Sequence, residues 1–341
     1  DLVIRELSPH DRIRYSLACR ETRDYVASFN ERAFHVARIL RRYFPDASVL
    51  SKFRYLQYYL DILISGSTAL QFLERTTYNN TDLDLYMNYE AVPQFKRFLE
   101  TTAGYVWTPR CPHETSAYRN LYEAYATVSP HIPYEARGIV KVFNFLCEGE
   151  TVQVIATKNG PMDAILGFHS TCVMNVITFS HAYSLFPYTT FHSNANVRIS
   201  RRFTSAPAIL TYKAAIEKYE RRGWQSAYIP SSDVYLRLCS EFRTGLRYVG
   251  DSSSWTVALE GIAGDVLGTT GLGLEPRLMG REMDPVRCNS WFQKVDGRKF
   301  SVFNDNSRPY GFDKNFTFKY TLSLARLAMQ DGLFDMNDRY R

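Results

Sequence analysis

Two aspartates stand two positions apart in the run Asp82-Leu83-Asp84-Leu85-Tyr86-Met87, whose alternation predicts a strand. Side chains two apart on a strand point the same way, so Asp82 and Asp84 share one face and Leu83 and Leu85 the other. Carboxylates about 7 Å apart by that geometry can bridge a pair of Mg²⁺ (or Mn²⁺) ions, which sit roughly 4 Å apart in two-metal sites. Upstream, the apolar run Ile62-Leu63-Ile64 stops at Ser65-Gly66-Ser67, and a helix is predicted from Thr68 to Arg75. Gly66-Ser67 ahead of a helix offers free backbone N–H groups and the positive end of a dipole, which suits a polyphosphate. Together these residues make a platform for phosphate and metal. The plainer alternative is a turn followed by two solvated aspartates.

Gly66-Ser67, an intervening helix and a strand-borne Asp82-x-Asp84 resemble the signature of the nucleotidyltransferase fold, the DNA polymerase beta superfamily. The resemblance covers roughly residues 55 to 225, and the fifteen positions from Ser67 to Asp82 are slightly long for it. It implies that Gly66 and Ser67 hold a nucleoside triphosphate and that Asp82 and Asp84 are catalytic metal ligands. It also implies a third carboxylate on a later strand, holding the catalytic metal beside the attacking hydroxyl. A hairpin predicted from Gly138–Leu146 and Thr151–Ala156, turned by Gly149, places Gln153 at that position. Glutamine is neutral, binds Mg²⁺ weakly and cannot serve as a base near neutral pH. Glu148 and Glu150 stand close enough to substitute, although the simplest register leaves Glu150 in the turn.

The expectation is therefore a nucleotidyltransferase-fold protein that binds a nucleoside triphosphate with Mg²⁺, with Gln153 in the third ligand position. If active, it would transfer a nucleotidyl group to a hydroxyl by in-line attack; otherwise it is a pseudoenzyme. Lys213 and Arg222, on the helix predicted over residues 208–224, could reach the triphosphate, with plain exposed charge as the alternative role. That helix shows an apolar face of Ile209, Tyr212, Ile216 and Tyr219 and a stop at Gly223.

The elements that must position these residues belong to a chain of 341 residues, 45% hydrophobic and 15% aromatic, which excludes a disordered polypeptide and favours a fold containing sheet. The expected fold class is α+β: a small mixed sheet of nucleotidyltransferase type flanked by helices, preceded by a helical segment and followed by a mixed extension. The corresponding units are residues 1–46, 53–225 and 226–341. A linker is expected over 46–52, and Val92, Phe95, Phe98 and Leu99 predict an amphipathic helix over 91–102. Residues 251–254 and the glycine-rich run 261–273, which is not a P-loop, read as mobile loop. A small hairpin around Trp291 and Phe300 and a final helix over 320–329 complete the extension.

In the first segment Ser8 caps a predicted helix with Pro9 at its first position, and Arg38, Arg41 and Arg42 read as a basic surface face, with phosphate contact the rarer alternative. Leu7-Ser8-Pro9-x-Asp11, continuing to Cys19-Arg20, resembles the later part of an F-box. That resemblance implies docking to the Skp-type adaptor of a cullin ubiquitin ligase and supports a second function class, a non-enzymatic substrate adaptor. An amphipathic hairpin packed on the next domain is the alternative. The combined architecture is similar to that of a group of fungal proteins. The chain opens at Asp1 without methionine, so the first F-box helix is expected to have been lost.

A net charge of +6 permits anionic partners, but the basic bias and the tyrosines are all that favour nucleic acid, and no such partner is required. Six scattered cysteines without a Cys-x-x-Cys pair argue against a disulfide framework or structural zinc and fit reduced thiols in cytoplasm or nucleus. No apolar run reaches membrane-spanning length and no secretory signal is present, so no membrane partner is expected. Cys111 with His113 could form half a metal site, and His169 and His181 are candidate acid–base groups.

Overall fold

The computed structural model describes residues 2–79, 81–109, 138–199, 206–227, 240–242, 245–262, 284–287, 289–296 and 299–304. Five helices come first: α1 (Leu2–Glu6), α2 (Pro9–Ser16), α3 (Arg20–Ala33), α4 (Ala37–Leu40) and α5 (Ala47–Tyr59). Strand β1 (Leu63–Ile64), helix α6 (Gly66–Glu74), strand β2 (Leu83–Asn88), helix α7 (Val92–Thr101) and strand β3 (Val106–Thr108) follow. The hairpin β4 (Ile139–Cys147) and β5 (Glu150–Thr157) leads to α8 (Pro161–Leu166), β6 (Asn175–Ile177), β7 (His181–Ser184) and β8 (Ala195–Val197). Helix α9 (Ala206–Glu220) precedes β9 (Gln225–Ala227), β10 (Gly245–Tyr248), β11 (Trp255–Ala258), β12 (Ser290–Asp296) and β13 (Lys299–Asn304). No described helix is long and apolar enough to cross a membrane.

Local chemistry accounts for several of these boundaries. Ser8 Oγ accepts the Asp11 amide at 3.2 Å with Pro9 at the first helical position, as the sequence predicts. Asp46 Oδ1 accepts the Val49 amide at 2.9 Å, so residues 47–52 are the first turns of α5 and not a linker. The β4–β5 hairpin turns through Glu148 at φ 49° and Gly149 at φ 86°, the two positive angles of a tight primed turn. Arg75, at φ 60°, closes α6 in the left-handed region.

The fold is α+β, built on a mixed eight-stranded sheet of order β11-β7-β6-β1-β2-β5-β4-β3. Strands β2 and β5 run parallel, with Asp84 opposite Gln153. The edge strand β11 comes from residues 255–258, so the sheet reaches past residue 226. Leu83, Leu85 and Met87 face one side of β2, in a core with Phe53, Phe95 and Phe98 from α5 and α7 and Phe44 from the α4–α5 connection. Tyr86 faces the other side and packs with Ile155 and the residues of α8. The period of two thus puts Asp84 on the face away from the α5 and α7 layer.

One expectation changes in the last third of the chain and another is met. Residues 251–254 form an ordered turn, because the buried Arg247 needs a counter-ion: its Nε and Nη2 each donate to Asp251 at 2.8 Å. The hairpin near Trp291 is present as β12–β13, paired from Trp291 opposite Asn304 to Asp296 opposite Lys299. Most of the glycine-rich run 261–273 and the helix read over 320–329 lie outside the described residues, as do Cys111 and His113.

Candidate functional site

Strand β1 is fully buried and ends at Ser65, whose amide donates to the Asp84 carbonyl at 3.3 Å and whose Oγ donates to the Asn175 carbonyl at 2.6 Å. The chain then turns at Gly66, with φ +64°, directly into α6. A Cβ at Gly66 would lie 2.5 Å from Asp84 Oδ2. Glycine is required here twice over: for the left-handed backbone and for the close approach of a carboxylate to the helix start. Ser67 is buried in the first turn of α6, and Thr68 Oγ1 donates to the Asp82 carbonyl at 3.1 Å. The Gly-Ser turn and the Asp-x-Asp segment therefore lie side by side.

Gln153 Nε2 donates to Asp82 Oδ2 at 3.0 Å from its place opposite Asp84. Asp82, Asp84 and Gln153 are brought together as the alternation predicted, but the glutamine amide acts as a donor to one carboxylate. Burial first, and the charge of Asp82 second, push the Asp84 carboxyl up to about 7, against the opposing pull of Lys218. A buried carboxyl beside a second carboxylate suits one hard divalent cation on Asp82 and Asp84. Among the described residues no three His, Cys, Asp or Glu side chains gather as a possible metal-binding group.

Lys218 is a cation that answers these carboxylates. Its ammonium is lowered by burial and by the neighbouring Arg222, while Asp84 and Asp82 hold it up. Lys213, five residues earlier on α9, is exposed, as most of Lys218 is, but lies about 140° around the helix from it. Lys218 is not among the residues that spacing or resemblance selects. Its place beside the buried Ile216 and Tyr219, at the border of the apolar face, was the available signal. Ile209, expected on that face, is exposed, and Ala208 is buried in its stead. Arg222 stacks on the Tyr78 ring, its guanidinium carbon 4.2 Å from the ring centroid, so the end of α9 closes over the turn that precedes Asp82.

Arg42 is a half-buried charge that is also tied to the core of the site. Its Nε donates to Glu150 Oε2 at 2.7 Å, and its Nη1 reaches the Tyr78 carbonyl at 3.4 Å and Thr81 Oγ1 at 3.5 Å. Glu150 opens strand β5 and is engaged with Arg42, where the simplest reading left it in the turn. The bond to Glu150, outweighing the cost of burial, raises the Arg42 guanidinium further. His169 Nδ1 is bonded to Ser170 Oγ. His181 Nδ1 lies 2.9 Å from Ser180 Oγ and 3.5 Å from the buried Asp284. No protein-family model matches this chain, and neither does any curated protein or solved structure.

Proposed function

We propose that this protein binds a nucleoside triphosphate together with Mg²⁺, and that its catalytic power is reduced by the amide at Gln153. The observation that carries the reading is the close approach of Gly66 and Asp84: a helix start, lacking a side chain, set against a buried carboxylate. On this reading the Gly66-Ser67 turn takes phosphate oxygens, Asp82 and Asp84 hold the ion, and Lys218 lies beside them. The ion supplies charge neutralisation to the phosphates. Glu150 is committed to Arg42, which leaves Gln153 without an acidic substitute from that side. Mn²⁺ suits the same oxygen ligands, and Lys213 and Arg222 remain candidates for the outer phosphates.

Titration calorimetry tests this. Wild-type protein should bind one of the four ribonucleoside triphosphates in Mg²⁺, and Asp82→Ala/Asp84→Ala should lose that binding. Equal affinity in both proteins would sink the site.

A second reading is favoured by exposed apolar side chains on α1 and α2, namely Leu2, Val3 and Ile13, with Leu17 just beyond. In it the first segment docks on a Skp-type adaptor, and the remaining chain recruits a target for a cullin ubiquitin ligase. The two readings are compatible, since a nucleotide-binding domain of low turnover can serve as the recruiting module.

A further inference from the structure

We propose that Gln71 is a positioning residue that sets the distance between the phosphate-binding turn and the carboxylate strand. This inference rests on the nucleotide-site reading. Gln71 is buried within α6, and both ends of its amide are used. Its Oε1 accepts the Tyr78 backbone amide at 2.7 Å. Its Nε2 donates to the Ser67 carbonyl at 3.1 Å and reaches Thr81 Oγ1 at 3.4 Å. One side chain therefore touches the first turn of α6, the middle of the connecting segment and the residue immediately before Asp82.

The segment between α6 and β2 lacks regular secondary structure among its described residues, so its polar backbone groups must find partners elsewhere. Gln71 satisfies one of them from inside. Two further bonds fix the end of the segment: Tyr43 Oη donates to the Thr81 carbonyl at 2.8 Å, and Thr68 Oγ1 donates to the Asp82 carbonyl. The long spacing between Ser67 and Asp82 makes this tether necessary. A connection with spare length leaves Asp82 free to drift, whereas a binding constellation must be held to within about 0.5 Å. Neither glutamate, which has no N–H to donate, nor methionine, which has neither group, reproduces the bridge.

The test uses Gln71→Met, which keeps the shape, and Tyr43→Phe, which removes only the hydroxyl, both at a temperature where circular dichroism shows them folded. Hydrogen exchange is read at residues 78–84 and at β5, and calorimetry compares ATP binding in Mg²⁺ with binding in EDTA. The expected result for Gln71→Met is faster exchange at 78–84 with β5 unchanged, and a loss of about tenfold in the Mg²⁺-dependent part of the affinity, the usual scale for partners that orient metal ligands. Tyr43→Phe should move both readouts in the same direction by less. Faster exchange with unaltered Mg²⁺-dependent affinity would reduce Gln71 to a structural bond and overturn the proposal, as would unaltered exchange. If wild-type protein binds no triphosphate in Mg²⁺, the nucleotide-site reading falls and the proposal with it. If wild type binds and Gln71→Met binds equally well, the proposal falls alone.

Discussion

Asp84 shows how one residue's position sets its chemistry. Ser65, Gly66 and Gln153 crowd it, and burial with the adjacent Asp82 charge keeps its proton on to about pH 7. An unfolded chain releases that proton near the ordinary carboxylate value of 3.8. Between those two values the native state binds more protons than the unfolded one, so this residue's contribution to stability falls as pH rises. Asp84→Asn removes the charge while keeping the shape. In metal-free urea denaturation its stability gain over wild type should be small at pH 4, grow toward pH 7 and level off above. A difference independent of pH would mean that the Asp84 charge is not what burial penalises. The carboxylate pair was legible from the alternation alone. The shifted carboxyl was not, because it depends on a helix start and a second strand that only the folded chain brings near.

At the scale of elements, the pairing of β2 with β5 decides which side chain meets the aspartates. The parallel register sets Gln153 across from Asp84, and its amide donates to Asp82. Gln153→Asp would exchange that donor for a third negative charge in a site that already holds two carboxylates. Thermal unfolding in EDTA should therefore occur at lower temperature than in wild type, by the equivalent of about 1–3 kcal/mol for a lost bond to a charged group. Millimolar Mg²⁺ should restore more stability to the variant than to wild type. Equal Mg²⁺ effects on both proteins would show that position 153 does not face the ion. The hairpin that delivers Gln153 was readable because Gly149 marks its turn. Helix α5 was half missed because aromatic residues obscure its periodicity, although Asp46 was a cap in plain view.

Across the whole molecule, the N-terminal helices are fastened to the sheet by a buried cation. The Arg12 guanidinium lies 5.4–5.7 Å from the ring centroids of Phe29, Phe34 and Trp255, and its Nε donates to the Leu7 carbonyl at 3.0 Å. Burial, then the nearby Arg75, lowers this group to about 10. Trp255 belongs to the edge strand β11, so α2 is held against the sheet while Ile13 remains exposed. On the adaptor reading that fixed presentation matters. Ile13→Asp with Leu17→Asp should abolish co-purification with a Skp-type adaptor while leaving thermal stability within about 0.5 kcal/mol, the usual effect of surface substitutions. Retention of the adaptor by the double variant would rule the reading out. The sequence by itself determined the α+β class, the Asp-x-Asp strand with the glycine before its helix, the Ser8 cap and the β4–β5 hairpin, because periodicity, capping and turn chemistry act over a few neighbouring residues. Only the tertiary structure decided that Lys218 answers the carboxylates, that Arg42 binds Glu150, that Gln71 spans the long connection and that residues 255–258 complete the sheet. Those pairings join residues far apart in the chain or on separate elements, and packing selects them where local patterning is silent.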